Sequence, residues 1–162
     1  VQHGVALLGA QAEEALGFDE LEAFVGERGG IDGDFWPHRP VGMFERVGGQ
    51  GFFDRLAAQF YAGVRTDPVL LALYPEPDDL AGAERRLALF LTQYWGGPAT
   101  YSDERGHPRL RMRHAPYAID DGMRDRWMTH MTKALQVCVS SPEIEAEMHD
   151  YFVRAADHMR NV

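Results

Sequence analysis

Four arginines, Arg105, Arg109, Arg111 and Arg113, are spaced through nine residues, and His114 follows at once. Guanidinium groups suit anionic oxygens, and a neutral imidazole is a common metal ligand. On residue types alone the stretch is ambiguous. The arginines could face nucleic-acid phosphates, and His114 could be an ordinary surface imidazole. His107 and His130 are the fallback ligands, whereas His149 and His158 lack a partner spacing that makes a metal pair persuasive. A second set with chemical reach is aromatic: Tyr61, Tyr74 and Trp127. A phenol donates or accepts a hydrogen bond, and an indole only donates. Their periodicity taken alone favours plain core packing.

Composition narrows the field. The 162 residues amount to about one domain, since domains run roughly 100–200 residues each. A formal charge of -9 opposes encounter with phosphate and excludes a general polyanion binder, so no nucleic-acid partner is expected. The single cysteine, Cys138, rules out a disulfide within this sequence and a cysteine zinc site, and it fits a reducing compartment. No apolar run approaches the roughly 20 residues a membrane helix needs. Val1 to Ala10 lacks the basic start of a secretory signal. A cytoplasmic location is the expectation.

Residues 1–42 stand apart from the rest. They hold eight acidic and two basic side chains, about two-thirds of the net negative charge. Ala10 to Val25 reads as one helix, and Gly29, Gly30, Gly33, Pro37 and Pro40 break regular structure after it. The division expected is an acidic N-terminal extension over 1–42 and a helical domain over 43–162.

Within that domain the elements that must position the chemistry are helices. Phe52, Phe53, Leu56, Phe60 and Val64 recur at helical spacing until Thr66-Asp67-Pro68. A short apolar piece, Val69 to Tyr74, stops at Pro75 and Pro77. Leu80, Ala83, Leu87, Phe90, Leu91 and Tyr94 form a second stripe, opened by Asp78-Asp79 and closed by Gly96-Gly97-Pro98. Residues 99–118 show no sustained period. A third helix carries Met123, Trp127, Met131, Ala134, Leu135 and Cys138 on one face. A fourth starts with Ser141 as cap and Pro142 in its first turn, and buries Ile144, Met148, Tyr151, Phe152 and Ala155. The class expected is all-α, four substantial helices with an irregular middle.

Several motifs in this frame carry a likeness. They are Gly48-Gly49 before the first helix, Tyr74-Pro75-Glu76, Asp79-Leu80-Ala81-Gly82-Ala83-Glu84, Tyr94-Trp95-Gly96-Gly97-Pro98 and the block Arg105 to Pro116. From about Phe44 to Met159 the chain resembles the truncated haemoglobins, and its motifs look like the second, O-type group of actinobacteria. Pro77 is a small departure from that pattern. The resemblance implies a two-over-two helical sandwich around haem b, iron protoporphyrin IX.

The same resemblance assigns roles. His114 becomes the iron ligand, since a globin haem takes one neutral imidazole and keeps an open sixth position. Tyr61, Tyr74 and Trp127 become the distal donors to a bound ligand, with Ala83 and Leu87 lining the distal side. Phe90 is expected to pack on the haem plane. Arg86, with Arg111 or Arg113, and Tyr101 are expected to meet the two propionates, because guanidinium matches a carboxylate with two parallel bonds. Leu110, Tyr117 and Met131 complete the cofactor-binding set, and Arg105 and Arg109 are left as solvated charge.

The function implied is reversible binding of dioxygen and other diatomic ligands, with slow release through the tyrosine and tryptophan hydrogen bonds, as in oxygen storage or transport. Two rivals stand beside it. One is a haem enzyme, a peroxidase or nitric-oxide dioxygenase, whose electrons come from a reductase partner because no flavin or nicotinamide fingerprint is present. The other is a non-haem helical interaction module with the acidic extension as its arm.

Overall fold

Two glycines set where the first long helix begins. A one-turn helix, α1 (Met43–Arg46), ends at Val47, and Gly48 and Gly49 then take positive φ of 89° and 80°, a region that suits residues without a Cβ. Behind them runs α2 (Gln50–Val64). The computed structural model describes residues 42–162. The remaining elements are α3 (Pro68–Leu71), α4 (Ala81–Tyr94), α5 (Thr100–Arg105), α6 (Leu110–His114), α7 (Asp121–Cys138) and α8 (Pro142–Met159). No strand occurs among the described residues. The acidic extension and its expected helix lie outside them, apart from Gly42.

The four long helices form two pairs. α2 packs along α4 and α7 along α8, while α2 also lies against α7. Tyr94 of α4 stacks on Tyr151 of α8 with centroids 4.1 Å apart, which closes the second contact between the pairs. The shared core is Phe53, Leu56, Phe60, Leu91, Met131, Leu135, Met148 and Phe152. Each side chain of this size contributes roughly 1.5–3 kcal/mol when buried.

On α8 the buried stripe runs Met148, Phe152, Ala156, and Ala155 is only half-buried. This corrects the expected face by one residue, because the stripe continues at spacing four from Phe152. The expected irregular middle holds α5 and α6, whose six and five residues are too few to show a period. Among the described residues no helix is long and apolar enough to cross a membrane.

The seam between α2 and α7 is tied at one carboxylate. Asp67 caps α3: its Oδ1 accepts from the N–H groups of Val69 and Leu70, both at 3.1 Å. Pro68 opens the helix where no N–H is needed. From α7, Arg126 Nη1 donates to the same carboxylate at 3.1 and 3.2 Å, and His130 Nε2 lies 3.2 Å from Oδ2. His130 sits over Gly63 of α2, where a Cβ would stand 2.5 Å from its Nδ1. Only glycine leaves the imidazole its place.

The Leu70 N–H, followed by His130 and Arg126, holds the Asp67 carboxyl down at about 2, against an ordinary 3.8. Its folded value lies below the unfolded one, so its contribution is complete above about pH 4 and is lost as pH falls through about 2. Asp67→Ala is expected to cost about 1–2 kcal/mol at neutral pH in urea denaturation and to flatten stability between about pH 4 and pH 2. A variant that keeps the wild-type acid dependence contradicts this. Gly63→Ala is expected to cost about 1–3 kcal/mol through the displaced His130, read from the same denaturation curves.

Candidate functional site

His114 is the last residue of α6, and its ring is held from within that helix. Nδ1 lies 2.7 Å from the carbonyl oxygen of Leu110, one turn back. An imidazole so placed carries its proton on Nδ1 and donates it to the carbonyl, which leaves the Nε2 lone pair as the coordinating atom. This is the tautomer that a metal-binding histidine needs.

Five residues cannot sustain a helix by themselves, because nucleation consumes most of what so few bonds return. α6 is therefore braced from outside. Arg109 enters it in the left-handed region at φ 40° and ψ 52°, uncommon for a residue with a Cβ. Its N–H donates to His107 Nδ1 at 3.2 Å. Burial first, then the charges of Arg109 and Arg113, lower the His107 pKa, in keeping with a neutral ring that accepts. Arg113 donates to three carbonyls of the preceding loop, those of Pro108 at 2.8 Å, Arg105 at 2.9 Å and His107 at 3.5 Å. Arg111 donates to the His158 carbonyl at 3.2 Å. Asn161 closes the far end, its Nδ2 donating to the carbonyls of His114 (3.3 Å) and Tyr117 (2.9 Å) while its Oδ1 accepts from Ile119 N–H (3.0 Å).

The other expected residues fall into two groups. Tyr61 and Tyr74 are together: their rings meet edge to face at 5.7 Å and their hydroxyls are hydrogen-bonded. Burial raises both pKa values first of all. The interaction between the two hydroxyls then acts in opposite senses, lowering Tyr61 and raising Tyr74. Trp127, half-buried on α7, packs on Phe60 at 5.1 Å and Phe152 at 5.8 Å. Ala83 and Leu87 stand half-buried on α4, and Leu110 on α6, all against the core.

The second group makes close contacts within the protein. Phe90 is buried and meets Tyr101 edge to face at 5.7 Å. Met131 is fully buried in the core. Arg111 and Arg113 have backbone partners as above, whereas Arg86 is exposed on α4 and its charge reaches Tyr61. Of the fallback histidines, His130 is engaged with Asp67 and His107 with Arg109. Sequence reasoning passed over Asn161, which no periodicity singles out, and Asp67, which the Asp-Pro pair signalled only as a helix boundary.

One long stretch of the chain carries all of this geometry, and it has known counterparts. The family model for bacterial-like globins matches residues 42–161. The chain belongs to this family, among the group II truncated haemoglobins. A curated relative, the group 2 truncated hemoglobin YjbI of Bacillus subtilis, is 35% identical over 113 residues, covering 70% of this chain and 84% of that one. Among solved structures, the thermostable hemoglobin of the actinobacterium Thermobifida fusca superposes with a TM-score of 0.71 at 55% identity, covering 74% of this chain and 96% of that one. The hemoglobin of Chloroflexus aurantiacus gives 0.70 at 45% identity, over 74% and 97%. Membership implies haem-based binding of small diatomic ligands.

Two phenols of this globin, Tyr61 buried and Tyr74 half-buried, give a direct check. Tyr61 and Tyr74 are expected to stay protonated above the ordinary tyrosine value of about 10. In an ultraviolet difference titration of the folded protein, Tyr61→Phe and Tyr74→Phe should leave the phase near pH 10 at full amplitude. Loss of amplitude there would mean that the phenols are open to water.

Proposed function

We propose that this globin holds haem b through His114 Nε2 and binds dioxygen reversibly, releasing it slowly. The observation that carries the reading is the His114 Nδ1 to Leu110 carbonyl bond, which leaves one nitrogen of correct tautomer for iron. The donor set fits the group: one imidazole is an incomplete shell for a bare ion but the full protein contribution to a globin haem. Haem supplies an iron with one open position for a diatomic ligand.

The protein supplies the rest. Leu87 and Leu110 offer apolar surface, and Arg86, exposed on α4, is a cation available to a propionate. On the distal side Tyr61 and Trp127 donate hydrogen bonds to the outer atom of the ligand. Tyr74 serves by its contact with Tyr61, which fixes the position of that phenol. Burial keeps both phenols protonated, so they remain donors across the physiological range.

Each such bond contributes about 1 kcal/mol net, and more where water is excluded. Removing one donor should therefore speed ligand release about 5- to 15-fold. Stopped-flow oxygen dissociation from Trp127→Leu is the check, with haem content measured alongside. A wild-type rate in a fully haem-loaded variant removes the donor role. A wild-type chain that takes up no haem, judged from its Soret band after haemin addition, removes the reading altogether.

A further inference from the structure

We propose that Asp67 is a positioning residue for the distal side: by binding α3 and α7 at once, it sets where Tyr74 and Trp127 stand relative to Tyr61. The inference rests on the distal roles given above.

The geometry leads from one carboxylate to all three donors. Asp67 is nine-tenths buried and accepts from the Val69 and Leu70 N–H groups, so α3 starts from it. The chain beyond is not slack: Leu73 N–H donates to the Leu70 carbonyl at 3.1 Å and Tyr74 N–H to that of Leu71 at 3.0 Å. Tyr74 thus hangs from the capped helix through two consecutive turns. On the other side, Arg126 is the immediate neighbour of Trp127, and His130 follows Trp127 by one helical turn on α7. Both reach the same carboxylate. The third element is α2, where Gly63 receives the His130 ring two residues after Tyr61.

The charge matters as well as the shape. A carboxylate with four N–H donors around it is satisfied only while α3 and α7 keep their mutual placement. If α7 slides or rotates, Arg126 and His130 leave Asp67 and a mostly buried anion loses half its partners. The penalty for that separation holds the α7 segment that carries Trp127 in register with α3, from which Tyr74 hangs. Asparagine distinguishes this from plain capping, because it still caps α3 with its carbonyl oxygen but offers α7 no charge.

The test uses the full-length, haem-loaded protein in its ferrous carbon-monoxide form. The readouts are the infrared C–O stretching band, which reports distal hydrogen bonds without turnover, and oxygen release by stopped flow. Asp67→Asn is expected to shift or split the band and to speed release about three- to tenfold. Combined with Trp127→Leu, its effect should be smaller than the product of the two single changes. Arg126→Ala, which leaves the α3 cap intact, should move band and rate the same way to a lesser degree.

A folded Asp67→Asn protein with lowered thermal stability but a wild-type band and rate overturns the proposal. Should that variant fail to fold, Arg126→Ala decides alone, and a wild-type band and rate there overturns it equally. Trp127→Leu in the wild-type background separates the two failures. If it too leaves band and rate unmoved, the distal-donor reading falls first. If it moves them while Asp67→Asn does not, only the positioning role falls.

Discussion

A five-residue helix carries the proposed iron ligand, and so short a helix has to be held by something else. The constraint explains much of the surrounding design. Arg113 spends its guanidinium on loop carbonyls, Arg111 ties α6 to the end of α8, and Asn161 fastens the turn that follows His114. Within the helix, the Leu110 carbonyl sets the tautomer and the angle of the ring. A dense run of arginine in an acidic protein is therefore in good part scaffolding.

The proposed distal side is built in another way. Tyr61 and Trp127 stand on the long helices α2 and α7, whose facing surfaces are among the most extensive contacts in the molecule. Long helices hold a residue well along their own axes but leave sliding between neighbours to be decided by side chains. Gly63 against His130 and Asp67 against Arg126 are where that decision is made, one by shape and the other by charge. Tyr74 has no long helix and takes its place from a capped turn. The proposed proximal side is thus held by many bonds to backbone, and the proposed distal side is assigned to one ionic knot between packed helices.

The long elements were legible in the sequence because they are long. Fifteen to eighteen residues give apolar stripes time to declare a period, and α2, α7 and α8 largely follow their predicted faces, with slips at Ile144, which is half-buried, at Met128, which is buried, and at Ala155 and Ala156. Caps were legible where chemistry is local, as at Ser141 and Pro142. What could not be read was the commitment of each polar group. Arg113 reads in the sequence as a partner for a carboxylate, and only the path of the chain at 105–108 shows that it also donates to three carbonyls. Asn161 and Leu110 act through backbone atoms or on backbone atoms, which residue types do not advertise. Likewise Asp67 lies 59 and 63 residues from Arg126 and His130, and nothing local joins it to them.

The central claim is that His114, and no other imidazole, holds the iron. Resonance Raman spectroscopy of the ligand-free ferrous protein addresses it most directly, through the iron–histidine stretching band. In haem-loaded His114→Gly the band should vanish and should return when free imidazole is added to fill the space left by the ring. A band that persists in His114→Gly without added imidazole would assign the iron to another histidine and contradict the account.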